Sequence, residues 1–446
     1  MKKVLIIGSG KSSTIMVKYL SNNSERLNIK VTIGSSNFEK LRKKFIDCPN
    51  LELVELNVNN EIELENKIKE NDYIISYVPA FMHPIVAKYC LKHRKHMLTA
   101  SYVSKEIREM EREIKENGLI FLNELGVDPG IDHMSAMRII NRIKSEGGVL
   151  EAFYSNTGGL IAPENDNNPW HYKFTWNPRN VILAGQGGPA KYKENGKIKY
   201  IPYTQLFKRT FRTTVLNYGE FDVYANRDSL IYESLYSIEG IPTLFRGTFR
   251  KPPFCQVWNI FVQLGLTENN YIIDNLDKLT FRDFLNMFLP DINSLTPEEK
   301  ICKIFNLSVD SSEFHALKFS GIFDNNLIPL KEGTPAQVIQ LLLEDKLKLE
   351  PGDKDMIVMQ HIFKYTINNK KKELKSSLVV IGKDEVNTAM ALTVGMPTAY
   401  ALELLLTGKF NKPGVYIPVI PELYEPILNK LESELNIMFI EEEKDL

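Results

Sequence analysis

Met1-Lys-Lys-Val-Leu-Ile-Ile-Gly-Ser-Gly10 decides the fold. Four apolar residues, Val4 to Ile7, run into a Gly-x-Gly turn, and Lys11 to Leu20 has helical spacing directly after it. A strand, a glycine turn and a helix start in that order make a cradle for a dinucleotide pyrophosphate. Gly8 permits the tight turn, Gly10 lets the backbone approach the phosphates, and the helix start offers N–H groups at the positive end of its dipole. Ser13, at the third fingerprint position, is small but neither Gly nor Ala. Gly10-Lys11-Ser12 also ends like a nucleoside-triphosphate loop, G-x-x-x-x-G-K-[ST]. The first glycine of that motif would fall on Leu5, so half of its phosphate cradle is missing.

Outward from this turn, short apolar runs alternate with helical ones. Lys30–Ile33 reads as a strand ending at Gly34-Ser35-Ser36, and Leu53–Leu56 as another leading to Asn57. Further strands are expected at Tyr73–Tyr77, Met97–Ala100 and Leu119–Leu122, with helices at 61–70, 84–92 and 104–117. This spacing predicts a doubly wound parallel sheet with helices on both faces. Ligands of such a sheet gather beyond the strand ends: Gly8–Gly10, Ser35–Ser36, Ser76–Pro79, Ser101–Tyr102 and Asn123–Gly130. Asp128-Pro129-Gly130 reads as the start of a helix, with Asp128 as N-cap and Pro129 in the first turn. Ile131, Met134, Met137, Ile140 and Ile143 follow at core spacing until Gly147-Gly148.

From Leu150 the pattern changes. A long polar loop is expected over Thr157–Pro169, then turn-rich strands to about Arg250 and a glycine-poor helical stretch over 256–350. Met356–Phe363 and Glu373–Ile381 flank Asn368-Asn369 as a β-hairpin, which makes the helical stretch an insertion in a second α/β domain. An apolar helix is expected over Ala389–Leu406, and Glu441–Asp445 as a solvated end.

Composition narrows the function. The 446 residues are 43% hydrophobic and 25% charged, with 55 basic against 56 acidic side chains and a net charge of −1. Nothing there argues for binding nucleic acid or an anionic membrane. Cys48, Cys90, Cys255 and Cys302 lie far apart, so neither a zinc site nor a disulfide framework is expected. No signal-peptide core or run of 18 apolar residues is found, and a cytoplasmic protein is the default expectation.

Several stretches, in order and at matching separations, resemble glutamate-forming saccharopine dehydrogenases (saccharopine reductases). They are Gly8-Ser-Gly10, Ile75-Ser-x-x-Pro79 with His83-Pro84, Ala100-Ser-Tyr102 and Asn123-Glu-Leu-Gly-Val-Asp-Pro-Gly-Ile-Asp-His133. Further along come Gly158-Gly159 to Glu164, Tyr172-Lys-Phe174 with Trp176, Asn226-Arg-Asp-Ser229, Arg246-Gly-Thr-x-Arg250, Asp355-Met-x-Val and Thr393-Val-Gly-x-Pro397. The resemblance implies an α/β fold: a Rossmann-type doubly wound parallel sheet plus a second α/β substrate domain with a helical insertion. The expected boundaries are 1–130 completed by 389–446 for the first domain, 131–255 with 351–388 for the second, and 256–350 for the insertion.

The implied reaction oxidises the secondary amine of saccharopine to an imine, which water hydrolyses to L-glutamate and α-aminoadipate semialdehyde. The reverse is a condensation step of lysine synthesis. The resemblance implies carboxylate-binding positions at Arg227, Thr248, Phe249 and Arg250, and places Ser101, Tyr102 and Asp128 beside the substrate. Tyr102 and Asp128 are the candidates for moving a proton, while Asp132 and His133 are expected to stabilise the helix start. Dinucleotide contacts are expected from Gly8, Ser9, Gly10, Lys11, Ser12, Ser13, Ser35, Ser36, Asn57, Val58, Ser76, Tyr77, Val78, Ser101, Val127, Asp128 and Thr175, and no metal is expected. Thr157 stands where many relatives have cysteine, which excludes a required thiolate, and Ile161 replaces a frequent proline. Ser35-Ser36 carries neither the acid that holds a ribose 2′-OH nor the arginine that holds a 2′-phosphate. With no carboxylate to repel a phosphate and Lys40 nearby, NADP is favoured over NAD. The partners expected are these small molecules alone, with a homodimer as the candidate assembly. No lysine-ketoglutarate reductase half precedes the first strand, which reads as a stand-alone enzyme. The alternatives are a semialdehyde-condensing enzyme of polyamine metabolism and a non-catalytic dinucleotide-binding regulator.

Overall fold

The computed structural model describes residues 1–292 and 294–446. It divides into two compact units: Met1–Gly147 with Val386–Met438, and Gly148–Glu385 with Phe439–Leu446. Strands are numbered β1–β18 along the chain.

In the first unit, β1 (Lys2–Ile7), β2 (Ile29–Ser35), β3 (Leu51–Glu55), β4 (Tyr73–Ser76), β5 (His96–Thr99), β6 (Ile120–Leu122) and β17 (Gly414–Tyr416) make one sheet. Its order is β17-β6-β5-β4-β1-β2-β3, and every pairing is parallel. Parallel strands are covered on both faces, which is why they read as unbroken apolar runs; Val4, Leu5 and Ile6 are all fully buried. Strand order reverses at β1 and β4, and this switch point opens the crevice where a doubly wound sheet takes its ligand.

The helix after the glycine turn is Thr14–Asn22, entered through a 3₁₀ turn at Lys11–Ser13. The single helix expected over 104–117 is two short ones, Lys105–Glu109 and Glu111–Glu116, separated at Met110. The helix Ile131–Ser145 lies in the first unit, beyond the boundary expected at 130. Ala389–Leu406 is helical as expected and long and apolar enough to span a membrane, yet 83% of it is buried in the structure.

The second unit is built on β7 (Val149–Ile161), β8 (Ala190–Glu194), β9 (Lys197–Ile201), β10 (Phe211–Thr214), β11 (Glu220–Ala225), β12 (Thr243–Arg250), β15 (Asp355–Ile367), β16 (Lys370–Ile381) and β18 (Ile440–Asp445). The main path runs β10-β11-β12-β7-β15-β16-β18, with the β8–β9 hairpin joined to β12. Asn368 and Asn369 both take positive φ (50° and 61°), the conformation of the tightest two-residue hairpin turns, and set the β15–β16 register.

Two expectations fail here. Thr157–Ile161 is the second half of β7, not a loop, and pairs with β15. Glycine is needed at 158 because a Cβ there would lie 2.8 Å from the Cβ of Phe249. The acidic end 440–445 is the edge strand β18, bonded to β16, so it leaves the first domain to which it was assigned.

Between β12 and β15 stand the helices Phe254–Gln263, Phe281–Met287, Pro297–Phe305, Ser312–Ser320 and Pro335–Lys346, with the short pair β13 (Ile273–Asp274) and β14 (Glu332–Gly333). Reciprocal capping boxes at Thr280/Asp283, Thr296/Glu299 and Thr334/Gln337 start three of them. These helices share one apolar core with the sheet, centred on Trp170, Phe254 and Trp258.

Candidate active site

At the switch point of the first unit, Gly8 has φ 107°, and a Cβ on it would lie 2.5 Å from the Tyr77 carbonyl oxygen at the end of β4. Gly8 is therefore fixed by both conformation and space. Gly10 has nothing within 4 Å of its Cβ position, so its backbone face is open to a ligand. Ser13 is fully buried, and its hydroxyl donates to the Gly10 carbonyl at 3.1 Å. The close helix packing that a third fingerprint glycine permits is supplied from the other side, by Gly395 against Ser12 and Met16.

Beyond β2, the Ser9 hydroxyl donates to the Ser35 hydroxyl at 2.9 Å, and Ser36 is exposed. Lys44, which the sequence reading passed over, reaches back to the turn and donates to the carbonyls of Ser9 (3.0 Å) and Gly10 (2.7 Å). Its helix, Phe38–Phe45, is capped by Asn37, whose side chain accepts from Lys40 N. Lysines at 40 and 44 then share a face, a spacing legible in the sequence. Burial, and then the charges of Lys40, Lys18 and Lys11, push the Lys44 ammonium down to about 8. Among the described residues no carboxylate pairs with Lys44, and two of its three protons are used, which leaves one for an anion. The open glycine turn and this uncompensated cation fit the pyrophosphate and 2′-phosphate of NADP.

The other expected dinucleotide residues divide by exposure. Asn57 is exposed, with its side chain accepting from Asn59 N, and Val58 and Val127 are buried. Ser76 is fully buried, and the Tyr77 hydroxyl donates to the Val394 carbonyl, so these two can offer a ligand main-chain groups only. Val78 is half-buried.

Asp128 does not cap a helix. The helix begins at Ile131 with Gly130 before it, and Asp128-Pro129 is a cis peptide in a loop that folds back on itself. Gly126 N donates to the Pro129 carbonyl, and Ile131 N donates to the Gly126 carbonyl. Gly130 takes φ 147°, and any Cβ there would strike Gly126. Asp132, fully buried in the first turn, accepts from Gly130 N at 2.6 Å and so ties the helix start back to the residue before it, as expected of it. Buried Glu124 joins the loop to its neighbours: one oxygen lies 2.7 Å from His133 Nε2, and the other accepts from Val103 N at 3.1 Å. Asp128 is left half-buried at the crevice, where the Tyr102 hydroxyl donates to it at 3.3 Å. Ser101 and Tyr102 thus join Asp128 at the ends of β5 and β6.

In the second unit, register places Thr157, Tyr224, Thr248 and Arg250 on one sheet face. Arg250 is buried among aromatic rings: its guanidinium carbon lies 5.0 Å from the Phe254 ring centre and 5.1 Å from that of Tyr172. Nη1 donates to the Phe249 carbonyl at 2.8 Å, Nε has no partner, and among the described residues no carboxylate neutralises the charge. Such a buried, unmatched cation is costly unless an anion is meant to arrive. Phe249 turns its ring to the opposite face, against Phe221, so only its main chain can meet a ligand. Thr175 is fully buried, and its hydroxyl has no partner among the described residues. Arg227 is exposed with φ 50° in a turn pinned by the Lys191–Asp228 ion pair (3.0 Å) and by Lys191 N donating to its carbonyl.

Residues 4–122 match the saccharopine dehydrogenase NADP binding domain, and residues 126–437 the saccharopine dehydrogenase C-terminal domain. The chain belongs to the saccharopine dehydrogenase family. It is 32% identical to saccharopine dehydrogenase [NADP(+), L-glutamate-forming] of Schizosaccharomyces pombe, over 97% of each chain. It is 35% identical to the mitochondrial alpha-aminoadipic semialdehyde synthase of Mus musculus over 97% of its own length. There the chain spans about half, 47%, of the relative. The structure superimposes on apo saccharopine dehydrogenase (L-Glu forming) from Saccharomyces cerevisiae with a TM-score of 0.89, at 29% identity and 100% coverage of both chains. Family membership accounts for the paired α/β units.

Proposed function

We propose that this chain interconverts saccharopine with L-glutamate and α-aminoadipate semialdehyde, using NADP. The observation that carries the reading is Arg250, a buried guanidinium without a carboxylate partner among the described residues, in a chain of this family. Saccharopine has three carboxylates, and a planar guanidinium is suited to gripping one with two parallel hydrogen bonds. Arg227 and the Thr248–Phe249 main chain serve the remaining carboxylates, with Ser101, Tyr102 and Asp128 at the reacting end.

In the oxidative direction the secondary amine loses its proton, a C–H bond gives up a hydride, and a C=N bond forms. Water then adds to that carbon, and cleavage of the C–N bond releases glutamate and the semialdehyde. When bound, the nicotinamide supplies the hydride chemistry. The protein's part is to bind, orient and move protons. Asp128, held by the 3.3 Å hydrogen bond from Tyr102, accepts the proton of the amine and passes it to solvent. It then takes one from the attacking water and returns it to the departing nitrogen. The chain is read as a cytoplasmic enzyme of lysine synthesis acting on small molecules alone, with a homodimer to be checked by light scattering.

Purified protein incubated with saccharopine and NADP or NAD should form reduced cofactor and glutamate in equal amounts. Absence of turnover with both cofactors would overturn the reading.

A further inference from the structure

Behind Ser101 lies a buried side-chain chain that the reaction scheme above does not use. His83 opens the helix His83–Lys92 and is 1% exposed. Its Nδ1 is 2.9 Å from the Ser76 hydroxyl oxygen, and its Nε2 is 2.7 Å from the Ser101 hydroxyl oxygen. Ser76 ends β4 and is fully buried, whereas Ser101 follows β5 and is half-buried at the crevice.

We propose that His83 is a positioning residue which, through Ser76–His83–Ser101, fixes the Ser101 hydroxyl as a hydrogen-bond donor into the crevice. The proposal rests on the reading that Ser101 meets the substrate. Its direction follows from counting donors. A neutral imidazole has one N–H and one lone pair, so it accepts from one serine and donates to the other. Burial pushes the imidazole down to about 4, which keeps it neutral at working pH.

Among the described residues, His83 is the only side-chain partner of the Ser76 hydroxyl. If Ser76 accepted from Nδ1–H, its own buried proton would be stranded, at a cost of about 1–3 kcal/mol. Ser76 therefore donates to Nδ1, Nε2–H donates to Ser101, and the Ser101 proton is left for a ligand. A hydroxyl locked as donor suits an anionic group such as a substrate carboxylate and disfavours a cationic one.

Two measurements test this. In protein labelled with ¹⁵N at histidine, the His83 ring should show a protonated Nε2 and a bare Nδ1 between about pH 6 and pH 9. The opposite tautomer, or a charged ring in that range, would overturn the proposal whether or not saccharopine is the substrate. In kinetics, His83→Asn reaches toward Ser76 only, whereas His83→Gln can place an amide N–H near the former Nε2. His83→Asn should raise KM for saccharopine about tenfold, with kcat changed much less and the NADP Kd within about twofold, and His83→Gln should recover most of the loss. On a Ser101→Ala background, His83→Asn should add less than about twofold. Equal damage from both variants, loss of NADP binding, or an undiminished effect without the Ser101 hydroxyl would each reduce His83 to a packing residue. A wild-type protein inactive on saccharopine would instead remove the functional reading and leave the tautomer to decide the relay.

Discussion

A Cβ built on Gly395 would lie 3.0 Å from the Cβ of Met16 and 3.2 Å from its backbone nitrogen. The apolar helix Ala389–Leu406 therefore meets the phosphate-cradle helix Thr14–Asn22 almost backbone to backbone. Gly395→Val should destabilise the protein by about 1–3 kcal/mol through overpacking. Because the strained partner carries the glycine turn, it should also weaken NADP binding. Thermal melting with and without NADP checks both effects, and a variant that melts normally would show that the two helices separate at no cost.

Arg250 sets stability against function. Arg250→Met removes a buried charge that no carboxylate among the described residues balances, and replaces it with an apolar side chain suited to aromatic surroundings. The melting temperature should stay level or rise while KM for saccharopine increases at least about thirtyfold. Loss of stability without loss of affinity would mean that the guanidinium is structural.

The Lys44 ammonium, pushed down to about 8 by burial and neighbouring lysines, gives NADP binding a pH dependence of fixed sign. A 2′-phosphate is dianionic between about pH 7 and pH 9. Lys44 loses its charge over that interval, so NADP affinity should fall as pH rises, with NAD affinity changing less. A bound phosphate favours the charged lysine, so the complex should take up a proton near the upper end of the interval. Lys44→Gln should flatten the profile and lower the preference for NADP. Fluorescence titrations across the pH series provide the check.

Glu124 ties the Asp128 loop to Val103 and His133. Glu124→Ala removes the partner of His133 Nε2 and the acceptor of Val103 N–H, and should destabilise the protein by about 1–3 kcal/mol in denaturant unfolding. It should also lower kcat by loosening the loop that carries Asp128. Glu124→Gln keeps an oxygen for Val103 and should do less on both counts.

Much of the first unit was legible because parallel strands write themselves as apolar runs ending in small residues, and Val4–Ile7, Ile74–Ile75 and Met97–Leu98 all did so. The turn at Asn368-Asn369 was legible because two asparagines can both take positive φ. Asp128 was misread because Asp-Pro-Gly is also how a capped helix begins. The actual loop depends on Gly130 folding against Gly126, which is a tertiary contact. Thr157–Ile161 was read as the start of the polar loop that runs to Pro169, whereas Gly158 within it clears space for Phe249 on the next strand. Lys44 was passed over because helix spacing shows which residues share a face but not what that face meets. Phe249 and Arg250 are neighbours in sequence, and the strand they share turns them to opposite faces, the ring toward Phe221 and the guanidinium toward Tyr172 and Phe254.

β17 and β18 give the protein a particular order of assembly. The sheet begun by β1 receives its outermost strand, β17, only at Gly414–Tyr416, and the second sheet receives β18 only at Ile440–Asp445. A chain emerging from the ribosome lacks these two edge strands until Gly414–Tyr416 and Ile440–Asp445 have been made. The glycine cradle, complete in sequence by the thirteenth residue, still lacks the Gly395 helix at its back. Ribosome-stalled chains ending before residue 386 should therefore fail to retain NADP, whereas chains extended past Met438 and clear of the ribosome should bind it.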